Sequence, residues 1–153
     1  MSNLEEEDVS VTNRSSICFV IEERKYKILF MGDALICDNG GIMEQLEKKY
    51  GKTFHFSAIK LPHHGSRYNI SVDFIKRYTA DEYYFSTNSE HFGHPDIDVI
   101  AGIIYYTGEY NKKLIFNYPL EVIKRFDRSD WKKKYHYDII VGNGNEIVER
   151  RYE

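Results

Sequence analysis

Six histidines occur in the chain, and four of them fall in two tight groups, His63-His64-Gly65-Ser66-Arg67 and His91-Phe92-Gly93-His94-Pro95-Asp96. A third chemically equipped point is Asp33, directly after Gly32. One carboxylate with up to four imidazoles is a borderline oxygen–nitrogen donor set, suited to Zn2+, Mn2+ or Fe2+ and poor for Ca2+. The natural nucleophile for such a set is a metal-activated water, directed at a carbonyl or phosphoryl centre. Ordinary roles compete with each of these. Gly-Asp after a strand is commonly a turn, His94 before Pro95 can stand in for a helix cap, and His91 is expected on the surface. Adjacent histidines are an unusual way to build a loop, which weights His63 and His64 toward function. His55 and His136, in or beside strands without a companion ligand, read as structural or surface residues.

The elements that must position these residues alternate between strand and helix. Ser16 to Ile21 and Tyr26 to Met31 are rich in β-branched and aromatic residues around Glu22-Glu23-Arg24-Lys25, which predicts a β-hairpin ending at Gly32-Asp33. Asp38-Asn39-Gly40-Gly41 is a turn, after which Ile42, Leu46 and Tyr50 give a helix closed by Gly51. A strand from Phe56 to Leu61 stops at Pro62. Ser71 then caps a helix carrying Phe74, Ile75 and Tyr78 on one face, and Tyr83 to Ser86 is the next strand. Pro95 suits the first turn of a helix with Ile97, Ile100, Ala101 and Ile104 on its apolar face. Strand Leu114 to Asn117, a helical stretch Leu120 to Phe126, and a hairpin of Tyr137 to Val141 with Glu146 to Val148 complete the chain. The reading is an α/β fold with hairpins at both ends. Asp33, the histidine pair and His94 each follow a predicted strand, and in open α/β sheets ligand crevices lie beyond the carboxyl ends of the strands.

At 153 residues the chain is one domain, or a piece of one. It is long enough to bury a core without metal or disulfide staples. A formal charge of −3 names no partner. Thirteen tyrosines and nine phenylalanines are far from the composition of a disordered chain. Two cysteines, Cys18 and Cys37, make neither a disulfide framework nor a metal knuckle, so a reducing, cytoplasmic setting is expected. The acidic start, residues 1–12, is a polar lead-in without a secretory h-region, and no apolar run approaches the ~18–20 residues of a membrane span.

The ordered motifs Asn13-Arg14-Ser15-Ser16, Ile28-Leu29-Phe30-Met31-Gly32-Asp33-Ala34, Lys60-Leu61-Pro62-His63-His64-Gly65-Ser66, and Asn88 with Gly93-His94-Pro95 resemble those of metallo-β-lactamase-fold hydrolases. The likeness is to the branch related to the hydrolase domain of DNA-uptake competence channel proteins, over about residues 10–105. It implies that Asp33 bridges two metal ions, Zn2+ being the first expectation, and that His94 is the last histidine ligand. His63 and His64 would border the same site, and the resemblance leaves their role open between ligating metal, orienting a ligand and contacting the scissile group. Ser66 and Arg67 would contact substrate or shape the loop, Arg67 having the planar fork suited to phosphate.

The family's H-x-H-x-D-H motif, which supplies most ligands, is absent from this chain. The resemblance is therefore to the back half of a four-layer αββα sandwich, with an incomplete metal site. It implies a partial domain over residues 1–153, one mixed sheet covered by helices, and a residue 120–153 region of helix, basic segment and hairpin. The missing half would come in cis, in trans or by homodimerisation. The activity implied is phosphodiester-directed hydrolysis, not expected of the isolated chain. Lys124 to Tyr137 carries six Lys/Arg against two Asp, interleaved with Phe126, Trp131, Tyr135 and Tyr137, a pattern that suits a nucleic-acid strand. The alternatives are a noncatalytic interaction module that keeps the fold without metal, and a nucleic-acid-binding module.

Overall fold

The computed structural model describes residues 15–36, 41–90, 93–145 and 149–152. The turn at Asp38-Asn39-Gly40, Cys37, His91, Asn13-Arg14 and the strand expected at Glu146 to Val148 lie outside the described residues. Strands β1 (Phe19–Glu23) and β2 (Tyr26–Phe30) form the antiparallel hairpin expected from their β-branched and aromatic content. Strands β3 (Phe54–Lys60), β4 (Tyr78–Phe85), β5 (Lys112–Phe116) and β6 (Tyr137–Val141) then add one after another, each parallel to its neighbour. The sheet order follows the chain, β1-β2-β3-β4-β5-β6. The fold is α/β with a six-stranded mixed sheet flanked by helices.

Parallel neighbours need crossovers, and these are provided by α1 (Ile42–Tyr50), α2 (Val72–Arg77), α3 (Ile97–Tyr106) and α4 (Ser129–Tyr135). Crossovers of one hand that always step in the same direction along a sheet place their helices on the same face. The core agrees. Leu46 of α1, Phe74 and Ile75 of α2, and Val99, Ile100, Ile103 and Ile104 of α3 join one buried cluster with the register row Leu29, Ile59, Tyr83 and Leu114. Ala58 and Ile115 are equally buried but stand outside that cluster, on the alternate rows.

That second face carries Phe19, Ile21, Ile28, Phe30, Tyr84 and Ile140. Residues 149–152 cross part of it. Arg150 Nη2 lies 2.6 Å from Oε1 of the buried Glu82, the Tyr152 hydroxyl donates to Glu82 Oε2 at 2.7 Å, and Tyr152 packs on Tyr26. Burial pushes the Glu82 carboxyl up, but hydrogen bonds from Arg150, Tyr152 and Tyr84 outweigh it and hold it below its ordinary value. The β1–β2 end has no such cover among the described residues: Phe19 is 48% and Ile21 47% exposed.

Besides strand ends that shift by one to three residues in β1, β3 and β5, three placements differ from expectation. β4 begins at Tyr78 rather than Tyr83, and α2 ends at Arg77, because Tyr78, Thr79 and Ala80 pair with Phe54, His55 and Phe56 and are buried there. Pro95 precedes Asp96, the N-cap position of α3, rather than lying within its first turn. Lys124 to Tyr137 is divided between a 3-10 turn (Glu121–Arg125), α4 and the start of β6. No helix among the described residues is long and apolar enough to cross a membrane.

Candidate functional site

The end of β2 runs into Met31-Gly32-Asp33, the end of β3 into a 3-10 turn at Pro62–Gly65, and the end of β4 into Ser86 and onward to His94. Because these strands are parallel neighbours, the three segments emerge side by side at one edge of the sheet. Backbone hydrogen bonds tie them together: the His63 N–H donates to Gly32 O at 2.9 Å, and the Asp96 N–H to Gly65 O at 3.0 Å. The structure thus brings Asp33, His63, His64 and His94 into one neighbourhood. The His63 ring centroid lies 5.3 Å from that of His94 and 6.3 Å from that of His64.

The histidine pair is held in a costly backbone shape. His63 (φ 42°) and His64 (φ 60°) are both left-handed, a conformation that disfavours any residue with a Cβ by about 1–3 kcal/mol each. Gly65 follows at φ 92°, and a Cβ there would stand 2.9 Å from the Pro95 Cβ and 3.1 Å from Phe85 Cδ1. Only glycine lets the turn close against Pro95, and that contact sets the His63-His64 loop beside the His94 loop.

Each of the three imidazoles has Nδ1 turned toward a protein acceptor. His63 Nδ1 lies 2.9 Å from Asn69 Oδ1, His64 Nδ1 faces the Ser86 carbonyl, and His94 Nδ1 is 3.4 Å from Asp96 Oδ2. For His63 and His64 this is the arrangement in which Nε2 is the lone-pair nitrogen, the one presented to a metal or a proton. Asp96 also accepts from the Arg67 N–H at 2.8 Å. Burial raises the Asp96 carboxyl, while His94 and the Arg67 amide pull it below its ordinary value. The Asp33 N–H is satisfied by Ser16 Oγ at 3.1 Å. Burial lowers the nearby Lys60 ammonium, and the Asp33 carboxylate opposes that shift.

The remaining expected residues are placed differently. Ser66 is 1% exposed and its Oγ accepts from the Tyr68 N–H, so it shapes the loop. Arg67 is partly exposed, donates to the Tyr68 hydroxyl and lies 3.8 Å from Asp98. It lines a cavity of about 700 Å³ together with Asp96, Asp98, Lys124 and Arg125. In the basic segment, Phe126 and Tyr137 are core residues, and Lys124, Arg128 and Lys132 pair with Glu121, Asp130 and Asp127. His55 bridges Thr79 and Asp81 across β3 and β4, and His136 Nδ1 faces Gly108 O.

Comparison with family models, curated proteins and solved structures returns no match for this chain. The site must be judged on its own chemistry. Among the described residues, no three His, Cys, Asp or Glu side chains are grouped to hold a metal ion. A catalytic zinc takes three protein ligands and a water. These residues therefore do not close a coordination sphere by themselves, and no catalytic step through a metal follows from them alone. Sequence reasoning passed over Asn69 and Asp96 as orienting partners. Asp96 was within reach, standing two residues after His94; a single asparagine six residues past His63 carries no signal.

Proposed function

We propose that this chain supplies one side of the metal site of a hydrolase directed at phosphodiesters, with Asp33 and His94 as ligands and His63 and His64 beside them. The observation that carries the reading is the convergence of these four residues in the segments that follow three adjacent parallel strands, with Nδ1 of His63 and of His64 engaged by the protein. The ligands still needed come from a complementary segment carrying the missing motif. A metal held there would supply Lewis acidity and an activated water. Arg67 and Arg125, across a cavity that Asp96, Asp98 and Glu121 also line, are the groups that would meet the anionic substrate. The uncovered rows of the sheet's second face are where a half-sandwich reading seats that complementary segment.

The test is metal uptake. Protein purified without chelator or affinity-tag metal and brought to equilibrium dialysis against Zn2+ is expected to hold about one ion per chain above the free concentration, bound weakly because the ligand set is short. The Asp33→Ala, His94→Ala double variant is expected to retain none. Equal retention by both proteins, or none by either, would overturn the reading and leave a noncatalytic module with this fold.

A further inference from the structure

Asn69 is 0% exposed and lies between two of the loops that form the site. Its Nδ2 donates to the backbone carbonyl of Asp33 at 3.0 Å, and its Oδ1 lies 2.9 Å from His63 Nδ1. A backbone carbonyl can only accept, so the amide nitrogen must be the atom facing Asp33. Turned over, the amide would set oxygen against oxygen at 3.0 Å with no proton between them. With the amide orientation fixed in this way, Oδ1 is what His63 meets, and Oδ1 can only accept. The proton of neutral His63 must then sit on Nδ1.

We infer that Asn69 is a positioning residue that latches His63 to the Asp33 loop and holds His63 as the Nδ1–H tautomer, leaving Nε2 as its lone-pair nitrogen. The Asp33 carbonyl sets the amide, the amide sets the imidazole, and the tautomer is thereby tied to the loop that carries the carboxylate. Any use of that nitrogen as a ligand or base rests on the metal-site reading; the tautomer does not. A separate backbone bond, His63 N–H to Gly32 O, joins the same two loops, so loss of the Asn69 side chain leaves them connected.

Two-bond 15N–1H correlation spectra of the metal-free protein, recorded near pH 8 where imidazoles are mostly neutral, report the tautomer directly. His64 and His136, whose Nδ1 atoms face backbone carbonyls, serve as internal references. His63 is expected to show the same Nδ1–H pattern as these two. In Asn69→Ala, His63 is expected to lose that pattern while His64 and His136 keep it. In Asn69→Asp, which retains an acceptor, His63 is expected to remain protonated at Nδ1. An Nε2–H pattern for His63 in the unaltered protein would overturn the inference whether or not any variant folds. So would an unchanged His63 pattern in Asn69→Ala. Failure of zinc retention with the Nδ1–H pattern intact would count against the metal-site reading alone.

Discussion

Lys112 is 3% exposed, yet its Nζ donates to the carbonyls of Thr107, Tyr110 and Tyr135. It thereby ties the end of α3 and the end of α4 to the start of β5. Burial pushes its ammonium from about 10.5 down to about 8. Between those values the unfolded chain binds a proton that the folded chain has released, so stability increases with pH in that window, by at most about 1.4 kcal/mol per pH unit. Tyrosines raised by burial, Tyr83, Tyr84 and Tyr137 among them, act in the opposite sense only above about pH 10. Denaturant titrations from pH 8 to 9 are expected to show stability rising with pH and Lys112→Met to reduce the rise, the remainder belonging to Lys60; above about pH 9 the Cys18 thiol, pushed up by burial to about 11, opposes both. A flat profile in the unaltered protein would mean that the three carbonyls hold the charge against desolvation. At this scale the sequence was readable where a residue type is chemically loud: Asp33, His63, His64 and His94 could be named from it. Asn69 and the burial of Ser66 could not, since both depend on which loops the fold brings together.

The turn of residues 62–65 is where an element's shape and the site's geometry are the same question. Gly65→Ala would place a methyl group against Pro95 and Phe85 in a left-handed backbone, at a cost of about 1–3 kcal/mol. We expect a lowered melting temperature in that variant, with the greatest amide shift changes at residues 63–66 and 94–96. An unchanged melting temperature would show that the turn relaxes freely and does not fix the histidines. Alternation of strand and helix, the first hairpin, the α1 helix closed by Gly51 and the Ser71 cap of α2 were all legible, because each rests on local chemistry. The Ser71 Oγ does accept from the Phe74 N–H at 3.1 Å. The boundary between α2 and β4 was not legible. Tyr78 continues the helical period of Phe74 and Ile75, and only pairing with Phe54 pulls it into the sheet. β3 and β4 also break strict alternation: Phe56 and Ile59, and Ala80 and Tyr83, enter the same core three residues apart.

For the whole molecule, the consequential feature is the imbalance between the two faces of the sheet. One is covered by helices, and the other carries Phe19 and Ile21 in the open beside a narrow strap at Arg150 and Tyr152. In a solution of this chain alone, a second copy is the available cover for exposed apolar rows. Light scattering is therefore expected to give a mass above the 18.1 kDa of one chain, rising with concentration, and the Phe19→Lys, Ile21→Lys double variant to lower it. A monomer that stays monodisperse at high concentration would show that the face is tolerated by water as it stands. A missing half was expected from the resemblance; the strap that covers part of the second face was not, because nothing in Glu149-Arg150-Arg151-Tyr152 distinguishes it from an ordinary charged tail.

The strand order has a temporal side. When sheet order equals chain order, every strand leaving the ribosome finds its only earlier neighbour already made, and the sheet can lengthen in step with synthesis. Glu82 is the exception. It enters with β4, its ion-pair partner Lys113 follows on β5, and the hydrogen-bonded Arg150 arrives only 68 residues later. Until the strap arrives, the Tyr26 and Glu82 end of the second face lacks its cover, and during translation it is accessible to another chain.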